Sequence, residues 1–546
     1  MKKLFAACLF FVVITCRAQI MVKDINIGEG GSNPEGFARI NNTTLFIATD
    51  GLNGYELWKT DGTEKGTMMV HNTGPGPASG CRYAEEINAT SSKLVALGNQ
   101  VLFFANDGQH GFELWRSDGT EFGTYLVKDI YTGPVSSSTS LQLTKAGNTV
   151  WFAANDGIHG TELWKSDGTD SGTVMVKDLY TGINSSNPQS FFTDSNLVFF
   201  TANDGKEGYG LCVSDGSSDG TIFLTVAMLN EGANGLGEGV KYNGTIYLSA
   251  GTPISTGLWK TTGTPEGTEL IMPFAKDGNN SGPSGLVIFK DKLVFAANTP
   301  TYGSELWTSD GTAMGTTMLK DIYPGSKGSA PQNLTTMGDK LYFTALDTSG
   351  TGPQLWVTDL TDTGTHTLAP LLGIKESILE PRQLFKSGGR IYFCAGGIDK
   401  GCELWVTDGT AQGTQMLNEI CPGRCSSDPG NFYCSDTTLF FSATDDTHGK
   451  ELWKLGGAFN LMEKLTTNID SDYTAEPFRR ELTKLSHTGT DIAYLKVFNL
   501  QGEEIFTQDA EKPVPPSVET FAPGIYLLRA YDKYDRIVAF TRFIKQ

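Results

Sequence analysis

His110, His159 and His448 each stand directly before a glycine, Gly111, Gly160 and Gly449, at one equivalent place in a repeating sequence. Imidazoles set around a rim could hold a transition metal. Asn53, Glu207, Tyr302 and Lys400 take that place elsewhere, so it reads as a hairpin position open to any polar side chain. The Asp-Gly pairs, Asp107-Gly108 and Asp118-Gly119 among them, offer carboxylates that could take calcium. They lack the dense alternation of acidic ligands that a calcium loop uses, which favours turn chemistry. No catalytic, cofactor or metal set is assigned on these residues, and calcium is the one ion kept open. The chain has no Gly-x-Ser-x-Gly, no His-Glu-x-x-His and no P-loop. Residues 35–455 hold few arginines, Arg39, Arg82, Arg116, Arg382, Arg390 and Arg424, which argues against a catalytic arginine cluster. Paired carboxylates drawn from separate repeats stay open.

The cysteines carry a second chemistry. Of nine, Cys8 and Cys16 lie in an apolar leader. Residues 1–19 read as a signal peptide: Lys2 and Lys3, an apolar run from Leu4 to Ile14, and a cleavage site at Cys16-Arg17-Ala18 before Gln19. A lipid anchor on Cys16 ranks second, because Thr15 suits it poorly. In an exported chain, disulfides are the default reading. Cys394, Cys402, Cys421, Cys425 and Cys434 are the candidates. Cys394 and Cys402 flank a hairpin turn and suit a cross-strand bridge. One pair is expected among Cys421, Cys425 and Cys434, with its identity open. The nearest spacing is Cys-x3-Cys, which is weak for zinc. Cys81 and Cys212 look lone, and Cys212 reads as a small core residue.

The elements that must position these groups come from a repeat. Leu-Trp followed by a short Asp-Gly-Thr turn recurs nine times, at Trp58, Trp115, Trp164, Cys212, Trp259, Trp307, Trp356, Trp405 and Trp453. A fixed period near 48 residues means stacked supersecondary units. Within one unit, Lys292 to Ala297, Glu305 to Thr308 and Thr316 to Ile322 are short runs rich in β-branched and aromatic residues, bounded by turn formers. With Gly285 to Phe289 they make four strands, the unit of a β-propeller blade. The fold class is therefore all-β, one large propeller of about nine four-stranded blades, with eight as the alternative.

Comparing the copies separates scaffold from variation. Leu occurs in all nine and Trp in eight. The preceding Glu occurs in six, replaced by Gly210, Gly257 and Gln354, so the blade does not strictly require it. Leu-Trp is read as the packing wedge between sheets, with each indole N–H finding a carbonyl. Gly-Thr closes the turn in the first eight copies, while Asp-Gly-Thr reads Thr262-Gly263-Thr264 and Asp359-Leu360-Thr361 in two. Propeller enzymes such as sialidases carry a Ser-x-Asp-x-Gly-x-Thr-Trp box. The order at Ser117 to Thr120 fails to match it. Met21 to Ile25 resembles the fourth strand of a repeat, so residues 20–26 are predicted to close the ring against Leu439 to Trp453. Residues 459–465 could compete for that edge.

Past residue 470 the repeat stops. Tyr494 to Ile505 and Pro523 to Ala530 read as strands of a small β-sandwich. The Val497-Phe498-Asn499-Leu500-Gln501-Gly502 turn, the Pro523-Gly524-Ile525-Tyr526 motif and the terminal Lys545 resemble the C-terminal sorting domain of Bacteroidota type IX secretion substrates. The repeats resemble the ELWxxDGT family. The first resemblance implies passage through the type IX secretion machinery, with release or surface attachment. The second implies the architecture and no activity.

The expected organisation is a signal peptide at 1–19, a propeller at 20–466 and a sorting domain at 467–546. Formal charge is −19 with no basic run, which argues against nucleic acid. No segment is long enough for a transmembrane helix. The expected function is an exported or cell-surface, non-enzymatic binding or adhesion protein, with an extracellular glycan or protein as ligand. A polysaccharide hydrolase or lyase and a structural surface-layer component are the alternatives.

Overall fold

A computed structural model describes most of residues 19–455 and four strands beyond them. Within residues 19–455, the longest runs not described are 82–93, 226–238, 275–281 and 369–378. The expected signal peptide and residues 459–465 lie outside the described residues. The chain divides into two compact units, Met1–Met462 and Glu463–Gln546.

The first unit is a nine-bladed β-propeller, each blade a four-stranded antiparallel sheet. Blades 1 to 9 follow chain order, from inner strand to outer strand. Blade 1, for example, comprises Glu35–Ile40, Thr43–Thr49, Tyr55–Thr60 and Met68–His71. The ninth borrows its outer strand from the start of the described chain. Gln19–Lys23 pairs with Gly449–Leu455, matching Gln19 to Leu455 and Met21 to Trp453. This is the predicted closure, and it covers a sheet edge that would otherwise be open.

The alternation of each third strand explains the cohesion. Leu points toward the following blade and Trp toward the preceding one. Trp115 packs with Ile40, Leu45 and Leu57 of blade 1. Trp164 packs with Leu102, Phe104 and Leu114 of blade 2, and Trp58 closes on Phe440 and Leu452 of blade 9. Blade 4 has Cys212 at the Trp position, fully buried. There the preceding blade contributes Trp151 to the same cluster, a swap that conserves volume across the seam.

One expectation needs correcting. The indole N–H groups were to find carbonyl partners, and only that of Trp405 does so among the described residues, donating to the Ala395 carbonyl at 3.0 Å. Nε1 of Trp58, Trp115, Trp164, Trp259, Trp307, Trp356 and Trp453 is buried without one. Packing between two sheets fixes each ring, and no acceptor lies within hydrogen-bond reach of these seven N–H groups.

In the second unit, Glu504–Asp509, Tyr494–Phe498, Gly524–Tyr531 and Ile537–Lys545 form one antiparallel sheet in that order. The second layer of the expected sandwich is not among the described residues. No helix among the described residues is long and apolar enough to cross a membrane.

Candidate functional site

Antiparallel blades put their turns on two rims. The Asp-Gly-Thr turns join third and outer strands on the lower rim. The Asp-Gly-x-His turns join second and third strands on the upper rim, which also carries the connections between blades.

Each lower turn satisfies itself. In blade 3, Asp167 Oδ1 accepts from the Thr169 N–H and hydroxyl at 3.0 and 2.7 Å. Ser166 Oγ accepts the Gly168 N–H at 3.0 Å and shares a 2.8 Å bond with Thr173 Oγ1. The same set recurs around Asp61, Asp118, Asp215, Asp310, Asp359 and Asp408. These bonds hold the carboxyls of Asp61, Asp118 and Asp167 below the usual range, the threonine hydroxyl contributing most. Cations staple successive turns together: Lys59 Nζ donates to the Gly119 carbonyl, Lys165 Nζ to Gly216 and Lys454 Nζ to Gly62.

The histidines of the upper rim are absorbed in the same way. Nδ1 of His110, His159 and His448 lies 2.7, 2.7 and 2.8 Å from Asp107, Asp156 and Asp445 Oδ2. Each carboxylate raises its imidazole pKa. Asp107 and Asp118, named as calcium candidates, spend their oxygens on their own turns.

The Glu of Glu-Leu-Trp has a function that sequence comparison undervalued. It is fully buried and clamps the loop that leads to the next blade. Glu162 accepts from the N–H of Leu179 (2.9 Å), Tyr180 (3.4 Å) and Ser186 (2.9 Å), and from Ser186 Oγ (2.6 Å). Glu305 repeats this with Ile322, Tyr323 and Ser329. Glu451 does so with Ile25, Asn26 and Ser32, and so locks the ring closure. Burial pushes the carboxyls of Glu56, Glu113 and Glu451 up to about 7, against the pull of their N–H donors. A signal existed: the final partner lies 24 residues after the Glu in five blades, at Gly80, Ser137, Ser186, Ser329 and Ser427.

Two departures from the repeat, both disulfides, lie on the upper rim between blades 8 and 9. Cys394–Cys402 spans the turn between second and third strands, with Cα atoms 5.9 Å apart. Cys421–Cys425 staples the connection to blade 9, at 5.3 Å. This settles the open pairing, and Cys434 is a half-buried thiol outside both disulfides, its sulfur accepting from Ser387 Oγ at 3.1 Å. Cys81 and Cys212 are free and buried, and burial drives both thiols well above their ordinary pKa. Beside the first disulfide lies a cavity of about 260 Å3, lined by Arg382, Gln383, Asp428, Asn431, Ser442 and Lys450 among others. Arg382 Nη2 meets Asp428 Oδ1 at 2.7 Å. Cys394, Cys402 and Asp428 place potential ligand atoms within 4.8 Å of one another, but both sulfurs are tied up in the disulfide and offer no thiolate.

No family model matches the chain, and no curated protein does. Among solved structures, puromycin hydrolase matches at a TM-score of 0.37 and 12% identity, over 77% of this chain and 60% of that one. A puromycin-hydrolyzing peptidase of Mycobacterium tuberculosis matches at 0.38 and 11%, over 78% and 61%. PorZ, a surface component of the type-IX secretion system of Porphyromonas gingivalis, matches at 0.32 and 10%, over 94% and 75%. The chain thus spans about three fifths of the length of these two solved structures.

Proposed function

We propose that the protein is an exported, non-enzymatic binding protein whose propeller presents an extracellular glycan or protein ligand site on its upper rim. One observation carries this reading. The repeated Glu, Asp and His side chains are consumed by scaffold hydrogen bonds, while polar groups that do not repeat, Arg382 and Asp428 among them, line a cavity between blades 8 and 9. That cavity is lined by a single carboxylate, Asp428, already paired with Arg382. Glycoside hydrolysis by the common routes uses two. Two disulfides suit an oxidising compartment. The leader at 1–19 and the sorting-domain resemblance at 467–546 support delivery through the type IX machinery to the outer surface or the medium, and the repeat supports membership of the ELWxxDGT family.

The test pairs a glycan array and a surface-protein pull-down with a panel of polysaccharide-degradation assays. Saturable binding without turnover is expected. Turnover that disappears in Asp428→Asn would overturn the reading in favour of an enzyme.

A further inference from the structure

The cavity between blades 8 and 9 has one net positive charge in its lining, in a chain whose net charge is negative. Arg382 and Lys450 line it against the one carboxylate of Asp428, in a chain of formal charge −19. Arg382 is committed to Asp428, and Lys450 has no anionic partner among the described residues. We infer that this cavity binds an anionic sugar unit, with a uronate carboxylate or sulfate ester at Lys450 and Arg382 and hydroxyls toward Gln383 and Asn431. The inference rests on the binding reading and gives it a ligand class.

The site is specific to this seam. The inner strand bulges in equivalent fashion in six blades, and the residue that opens the bulge is Glu35, Gln189, Ser284, Gln332, Arg382 or Gly430. Only blade 8 puts a cation there. Asn33, Asn187 and Ala330 share with Asp428 the left-handed backbone after the clamped serine, and Asp428 alone of these is charged. Asn431 spends its amide N–H groups on the Pro34 carbonyl at 3.2 Å and Ser442 Oγ at 3.3 Å, which leaves its oxygen as an acceptor for a hydroxyl. Gln383 lies over Gly430 so closely that a Cβ there would meet its Oε1 at 2.5 Å.

Rigidity and size agree. The Glu403 clamp and both disulfides fix the blade 8 loops beside the cavity. Such preorganisation lowers the entropy lost on binding. A volume of about 260 Å3 lies below the roughly 300–1,000 Å3 of drug-sized sites and suits one sugar residue of a longer chain. The lining is mostly polar, which suits a hydroxylated ligand better than a peptide side chain.

The test is calorimetry on the full exported chain with three probes: oligogalacturonate, a sulfated galactan oligosaccharide and a neutral cello-oligosaccharide. The acidic probes should bind at least ten-fold more tightly than the neutral one, and their order identifies carboxylate or sulfate as the preferred group. Lys450→Met and Arg382→Gln should each weaken acidic binding by roughly ten-fold or more without lowering the melting temperature, whereas Lys65→Met on the lower rim should not. Equal affinity for acidic and neutral probes, or unchanged binding in both cavity variants, would overturn the inference. A ligand caught elsewhere on the ring would then still support the broader binding reading. No captured ligand in any format would defeat both.

Discussion

The two rims of one blade solve the same problem, a turn full of polar backbone, at different ranges. On the lower rim of blade 3, Ser166, Asp167, Thr169 and Thr173 satisfy one another within eight residues. On the upper rim, Glu162 reaches 17, 18 and 24 residues ahead to hold the connection to blade 4. The local device recurs in eight blades and tolerates Thr262 or Leu360 within it. The long-range device appears in six blades, and Gly210, Gly257 or Gln354 replaces its Glu elsewhere. A turn that is its own partner belongs to the scaffold. A clamp that depends on the next loop lets that loop vary, and variation is where recognition arises.

The contrast is broken most directly at the clamp. Glu162→Ala should strand three backbone N–H donors, that of the fully buried Ser186 among them, and leave the Ser186 hydroxyl only the Thr161 carbonyl at 3.4 Å. Each buried orphan costs about 1–3 kcal/mol, so a loss of about 4 kcal/mol is expected in chemical denaturation. Faster proteolysis should occur between residues 179 and 188. A loss below about 1 kcal/mol would mean that the loop holds itself.

The same clamp gives a pH signature. Burial raises the Glu113 carboxyl from an ordinary value of 4.5 to about 7. A raised acid pKa means that the folded state takes up the proton more readily. The contribution is therefore fully present below about pH 4.5 and is lost as pH rises through about 7. A shift of this size corresponds to about 3 kcal/mol. Stability should fall between pH 5 and 8, and Glu113→Gln should flatten that part of the profile. The lower-rim aspartates, whose pKa values are lowered, act at the acid end: their contribution is present above about 3.8 and lost as pH falls further. A wild-type profile that rises between pH 5 and 8 would contradict the clamp's protonation.

The difference in range also decided what the sequence revealed. The blade repeat, the Leu-Trp wedge, the closing strand and the Cys394–Cys402 bridge were legible because each rests on short spacing or on repetition. The clamp was discounted because its Glu is missing from three copies, although its 24-residue partner is regular. Cys421–Cys425 could not be chosen over pairings with Cys434 without the loop that brings the first two together. The cavity was invisible, since Arg382 and Asp428 meet across a seam 46 residues apart. The unpaired indoles reflect something that spacing does not show: packing between two sheets sets each ring, whether or not an acceptor lies in reach.

Smaller effects sharpen the lower rim. Gly168 sits at φ 87°, a region that disfavours any side chain, and an added Cβ would press on the Gln100 amide of blade 2. Gln100 is long enough to yield, so Gly168→Ala should cost mainly the backbone strain, about 1–2 kcal/mol. Leu360 already occupies the equivalent position at φ 72° in blade 7, which sets an upper bound consistent with survival of the turn. The smallest effect is expected at Asp167. Its carboxylate is exposed and its partners can turn to water, so Asp167→Ala removes two bonds without burying an orphan. About 0.5–1 kcal/mol is expected, as a shift in the denaturation midpoint with unchanged slope. A loss as large as that of Glu162→Ala in the same blade would show that the lower turn, too, depends on something beyond its own eight residues. Lys128 and Lys177, which reach turn carbonyls of the following blades, would then be the groups to remove next.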